Sequence, residues 1–570
     1  MKIKNHYKLI IQILFFISIF NTLYSKNFDK SYDEDSVSNY FSGILALNNN
    51  DYKTSYKYLK QLEGLEDNHY NFSSYYEYSL VNEKRFKEAF LYSKKIEKKN
   101  IGNFESNIII STYYLKNKKY DQSRKYFAKA EGNFELNSLQ KLTSGIPNNW
   151  LSLINLNEKD GIRLINKIPD KFKNIKRIQN ALAHCFYNSK KTNLVFKKLT
   201  SGDDIDFSRY NFFHANYLYK IKEEEKASKI IDDSLEFSPR NLILNQFKQD
   251  MFSKNGEKSA NQFDCRNSSD LIAEIFYIAA NALSSQEKYI ESNFYINLAK
   301  YLNPNFTSYE ILYAENLFAL KEYKKAKKTL STIKNKGKFY NWFAVKQIVS
   351  ILNQEQKKDE LLILLNRSYK ELNEPTIYET YDYANALRSH KKFRESVNFY
   401  TKVYNVIDKN HHLYPNVTEG RGIAYEQLQD WPKAEKDLVS SIDALPDQAY
   451  VLNYLAYSWI EQGVKINKSL EMLKKANELK KNDGYIIDSL GWALFKLKKY
   501  KEAKEYLQLA VRIMPSDPIV NDHFADSLWM NNKPVQARYF WNYALSLEKT
   551  DEKLKKIINQ KLLEGLKKKS

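Results

Sequence analysis

Residues 483–517 read DGYIIDSLGWALFKLKKYKEAKEYLQLAVRIMPSD, and the order of residue types in this stretch decides the fold. Leu490, Gly491 and Leu494 mark one helix, Ala503, Leu507 and Ala510 a second, Tyr500 the approach to that second helix, and Pro515 its close. Each type has a mechanical reason for its place. Small side chains let paired helices come close, large ones fill the gap between neighbouring pairs, and proline stops the second helix. A helix pair built this way invites a search for others in the same chain.

The stretch resembles the tetratricopeptide repeat. In that family a Leu-Gly pair and a large residue three positions on belong to the first helix, small alanine positions to the second, and a proline closes the unit. Ile487 stands here where a Trp is common and Leu494 where a Tyr is common. Both remain large and apolar, so the packing argument is unchanged.

The aromatic just before the second helix carries the frame along the chain. Tyr52, Phe86 and Tyr120 are each 34 apart, as are Tyr289 and Tyr323, and the 169 residues from Tyr120 to Tyr289 fall one short of five repeats. The frame continues to Phe393, Trp431, Tyr500 and Pro534, with an insertion around His411 to Tyr414 and one extra residue near Val464. Three positions beyond each marker stand Ser55, Ala89, Ser123, Ser292, Ala326, Ser396, Ala434, Ala503 and Ala537, all small. About fifteen slots then cover residues 37–548. The resemblance implies an all-α, right-handed α-solenoid of helix-turn-helix repeats.

The segments divide into 37–135, 136–255, 270–372 and 373–548, followed by 549–570. Residues 136–205 and 341–372 carry only amphipathic helical hairpins, with Pro147, Pro169 and Gly202 as expected breaks. The polar stretch Ser253 to Asp270 is the expected joint between two solenoid segments, with Pro375 and residues 409–416 as weaker candidates. Leu554, Ile557, Ile558, Leu562 and Leu563 recur at helical spacing, which predicts a helix capping the open end of the array. The Lys567 to Lys569 tail offers a membrane surface as an alternative role.

Composition agrees with helices. The 570 residues contain only 15 Gly and 11 Pro, and 43% are hydrophobic, which excludes both a many-stranded fold and disorder. The formal charge of +21 comes from lysines scattered over helix surfaces rather than gathered in one stripe, so no nucleic-acid site is expected. Lys2, Lys4 and Lys8 precede an apolar run from Leu9 to Phe20, and Leu23 and Ser25 offer a cleavage site. Residues 1–25 are therefore expected to be a signal peptide, with an uncleaved anchor as the alternative, and the chain to be exported to a periplasmic or envelope-associated place. Cys185 and Cys265 lie 80 apart; two separate thiols are the simpler expectation and one bridge the other.

Neither a phosphate-binding glycine loop, a nucleophile elbow nor a CxxC pair occurs, and His411-His412 lacks zinc spacing. No cofactor, metal or catalytic residue is expected. The resemblance implies protein binding along the first helices, whose lining in residues 373–548 would be Tyr378, Tyr381, Asn385, Arg388, Glu419, Glu426, Asn453, Tyr457, Asp488, Trp492, Phe495, Asp522, Asp526 and Trp529. That lining is aromatic and acidic, which suits a partner segment bearing basic and aliphatic or aromatic side chains. The expected function is a non-catalytic protein-interaction scaffold of the cell envelope, serving assembly, secretion or polymer export. Glycan binding, or regulation of a cell-wall enzyme through the same groove, is the alternative. Packing of Trp492 and Trp529 between helices is the competing structural role for those two residues.

Overall fold

The computed structural model describes residues 34–69, 71–132, 135–201 and 207–566. The leader, Gly202 and the Lys567 to Lys569 tail lie outside them. Among the described residues there are no strands, and fifteen consecutive helical hairpins run from Glu34–Asn48 with Tyr52–Lys60 to Pro518–Met530 with Pro534–Ser546, followed by the single helix Glu552–Glu564. The fold is an all-α solenoid of the kind the repeat implies.

The local frame is realised residue by residue. All nine markers, from Tyr52 to Pro534, are the first residue of a second helix. Two positions before each of them the backbone is left-handed: Asn50, Lys84, Lys118, Glu287, Lys321, Lys391, Gln429, Lys498 and Asn532 have φ between 57° and 63°. None is glycine, although a side chain makes this conformation costlier by about 1 kcal/mol. The nine small residues three beyond the markers are all 0% exposed, so each sits where the two helices of a pair touch. At Gly491 the first helix comes so close that an added Cβ would lie 2.7 Å from Leu507 Cγ.

The chain divides into two compact units between Ser368 and Tyr369. In the N-terminal unit the hairpins fold back on themselves. Helix Tyr289–Leu302 packs against Phe72–Asn82 and Phe104–Lys116, and Ser268–Ser284 packs against Ser138–Leu153. The seam joins rings, with Phe294 on Tyr78 at 4.8 Å and Tyr301 on Phe86 at 4.2 Å. It also joins buried amides: Asn293 Nδ2 donates to Tyr52 Oη at 3.0 Å and Asn297 Nδ2 to Asn82 Oδ1 at 3.2 Å. The inner faces of the first helices in this stretch are thus covered by the unit's own later helices.

Three expectations are corrected. Ser253 to Asp270 is no joint: Phe263 is 2% exposed and packs on Phe213, while Asn216 and Lys220 both donate to its carbonyl. Cys265, in the same stretch, forms a disulfide with Cys185, the Cα atoms 5.9 Å apart. Two separate thiols are therefore replaced by a covalent link that holds this stretch against helix Lys173–Phe186. Pro147 does not break its helix; Ser138–Leu153 runs through it, anchored by buried Ile146, Trp150, Leu151 and Leu153. Pro169, by contrast, caps a short 3-10 turn between Glu158–Ile165 and the next helix.

Candidate functional site

In the C-terminal unit the first helices Ile377–Ser389, Tyr414–Gln427, Ala449–Glu461, Gly484–Lys496 and Pro518–Met530 come in sequence. Thr376 forms a capping box with Glu379 at the first, and Asp483 and Asp517 accept backbone N–H bonds at the last two starts. Ile377–Ser389 packs beside Tyr414–Gln427, and Ala449–Glu461, Gly484–Lys496 and Pro518–Met530 pack beside one another, with residues at spacings of three and four on each sharing a face; a side-chain bond from Tyr454 to Glu426 links the two sets.

At its start Tyr378 stacks with His412, and Tyr381 lies 6.0 Å from Tyr400. The Tyr400 hydroxyl donates to Asn385 Oδ1 and accepts from Arg388 Nε at 3.1 Å. Burial raises the Glu419 carboxyl above the usual carboxylate range, against the pull of Arg388. Further along, Tyr454 donates to Glu426 Oε2 at 2.9 Å. Asn453 and Tyr457 are half-buried, and the Asn453 Oδ1 atom has no hydrogen-bond partner. Burial, followed by the carboxylates of Glu461, Asp488 and Asp522, raises the Tyr457 phenol well above its ordinary value. The face therefore carries an acidic field around half-buried aromatic edges.

Beyond Tyr457 the arrangement departs from an open lining. Trp492 is 8% exposed, stacks on Phe495 and on His523 at 3.9 Å, and donates its Nε1–H to Glu461 at 2.7 Å. Asp488 is buried and lies 2.9 Å from His523 Nδ1. Burial works against a protonated His523, but Asp488, helped by Asp522 and Asp526, outweighs it and holds the imidazole above its ordinary value. Asp522 and Asp526 are 5% and 3% exposed, and the Lys561 ammonium donates to both, at 2.7 and 2.8 Å. Trp529 donates to the Leu566 carbonyl at 3.2 Å. Asp488, Trp492, Asp522 and Asp526 thus do not line a free surface: the next repeat covers the first two, and the C-terminal helix covers the last two.

Tyr400, Tyr454, Glu461, His523 and Lys561 complete the site and escape a reading by repeat position. Tyr454 and Glu461 had a signal, since they stand three before and four after Tyr457 on the same helix face. Lys561 had one as well: it shares a face with Leu554 and Ile558, an apolar stripe in which a lysine needs a partner.

The family profile described as Tetratricopeptide repeat matches residues 486–517. Residues 486–517 thus carry a tetratricopeptide repeat. The array is also 30% identical over 121 residues to the TPR repeat-containing protein PA4667 of Pseudomonas aeruginosa, a match spanning 21% of this chain and 20% of that relative's length. Among solved structures it is similar to MamA from AMB-1, at 20% identity over 30% of this chain and 97% of that one, with a TM-score of 0.27. It is similar to YrrB, described as a TPR protein with an unusual peptide-binding site, at 16% identity over 34% of this chain and 97% of that one, TM-score 0.28. A tetratricopeptide repeat protein from Parabacteroides merdae matches at 16% identity over 39% of this chain and 85% of that one, TM-score 0.32.

Proposed function

We propose that this protein is a non-catalytic adaptor of the cell envelope whose C-terminal unit receives partner segments along its first helices. The observation that carries the reading is the half-buried run of Tyr381, Asn385, Arg388, Glu419, Glu426, Tyr454 and Tyr457 on successive helices. Rigid aromatic edges give contact area at small entropic cost, and the carboxylates favour a basic segment and fix its register. The inner faces of the N-terminal unit are covered by its own helices, which favours the C-terminal unit as the receiving surface. Export is supported by the charged and apolar leader and by the Cys185–Cys265 bridge, which suits an oxidising compartment. Glycan binding loses its platform, because the Trp492 ring is stacked within the protein and its N–H is bonded.

The test is capture from gently solubilised envelopes by the full chain and by its Tyr381→Ala/Tyr457→Ala variant, with far-UV circular dichroism as the folding control. A small set of proteins lost from the variant at unchanged helicity supports the reading. An identical set on both chains refutes it.

A further inference from the structure

The Glu552–Glu564 helix is held at the end of the array in an unusual way. Of its thirteen residues only Ile558 is buried, whereas ten of the thirteen in the Pro518–Met530 helix beneath it are. Leu563 is 84% exposed, so one side of the apolar stripe meets nothing among the described residues. Its apolar hold on the array is Ile558 together with partly buried Leu554, Leu562 and Leu566.

A second tie is ionic. Asp522 and Asp526 are one turn apart on one helix, both buried, and Lys561 reaches both. Two adjacent carboxylates in such a place need a cation or a proton between them. If Lys561 leaves, Trp541, whose Nε1–H donates to Asp526 at 2.9 Å, and the nearby His523 remain, and an entering ammonium or a proton restores the lost positive charge. Exchange of one lysine for another costs little, because the burial of the carboxylates is the same for both. The receptor has shape as well as charge. Gly565 has φ +68°, and a Cβ there would lie 2.1 Å from Trp529 Cζ2. A lysine followed four positions later by a helix-ending glycine is therefore what the site accepts. Towards the centre of the array, half-buried Tyr457 and exposed Glu461, itself 3.9 Å from the Lys496 ammonium, continue the face along which a helix could enter.

We infer that Asp522, Asp526 and Trp529 form an exchangeable lysine site, that the C-terminal helix is its resident occupant, and that the partner it fits is a helix presenting a lysine in the place of Lys561. The partner half of this inference rests on the groove reading above. The probe is a fluorescent peptide of residues 551–566 titrated against the full chain. The Lys561→Gln chain is expected to bind it at least tenfold more tightly than wild type, and the Asp522→Asn/Asp526→Asn chain to lose it. A peptide itself carrying Lys561→Gln should bind neither. Equal affinity of wild type and Lys561→Gln chains, or no binding to either, overturns the inference.

Hydrogen exchange on the wild-type chain needs no variant. Residues 552–566 should exchange at least a hundredfold faster than 518–530, and equal protection would make the helix part of the frame. The two readings fail separately. If the peptide exchanges while Tyr381→Ala/Tyr457→Ala keeps every envelope partner, the groove reading falls and the lysine site stands; loss of partners without peptide exchange is the reverse.

Discussion

Single residues set the limits of this array by volume and by charge. Leu507 is 0% exposed, and a Cβ on Gly491 would meet its side chain at 2.7 Å and its backbone nitrogen at 3.2 Å. Gly491→Ala is expected to lower stability, because overpacking costs about 1–3 kcal/mol and outweighs the ~1 kcal/mol that alanine's helix propensity returns. Urea unfolding of the two chains measures the difference, and an unchanged midpoint would mean that the pair can spread. Glu77 is the counterpart in charge. Its Oε1 accepts from Ser93 and Ser106 at 2.6 and 2.7 Å, its Oε2 has no partner, and burial pushes the carboxyl up to about 8. The folded chain then keeps a proton that the unfolded chain releases near pH 4.5. This contribution to stability is complete below that pH and is lost as pH rises through about 8. Glu77→Gln should flatten the fall in melting temperature between pH 5 and pH 8. An unaltered slope would place the titrating group elsewhere.

At the level of elements, the sequence is legible wherever neighbours in the chain determine the geometry. Each of the nine markers opens a second helix, because each turn repeats one backbone solution whose left-handed residue stands two positions earlier. Pro147 was misread because a proline's local effect is overridden by Trp150 and the other buried side chains of its helix. The Ser253 to Asp270 stretch looked like a linker because its contacts, Phe213, Asn216 and Cys185, belong to helices far from it in sequence. In the candidate groove the residue types were readable, but not the fact that Lys561 covers Asp522 and Asp526, since a repeat frame says nothing about what lies past its end. The misread stretch gives a prediction. Cys185→Ser should destabilise the N-terminal unit by about 2–4 kcal/mol and speed hydrogen exchange in residues 256–265. Equal unfolding midpoints with and without reductant would mean that Phe263 holds the segment alone.

The two units differ in how far a disturbance travels. In the C-terminal unit each hairpin packs on its chain neighbours, and such arrays lose structure locally, repeat by repeat. In the N-terminal unit the seam ties Tyr52 to Asn293, Asn82 to Asn297 and Thr143 to Tyr295, so early and late hairpins share one core. Contacts so distant in sequence make opening of either arm expensive for both, and the unit should unfold as a block. Two substitutions of similar cost separate these behaviours, since truncating a buried Phe or Leu to Ala costs about 2–5 kcal/mol. Phe294→Ala, at the seam beside Tyr78, should raise exchange in Phe72–Asn82 and Phe104–Lys116 as much as in its own helix. Leu455→Ala, buried in the C-terminal unit, should raise it in its own hairpin and the two adjoining ones, leaving Pro534–Ser546 protected. Hydrogen exchange followed by mass spectrometry reads both patterns. A local response to Phe294→Ala would make the seam a contact between independent arms, and a surface between independent arms is one a partner could enter.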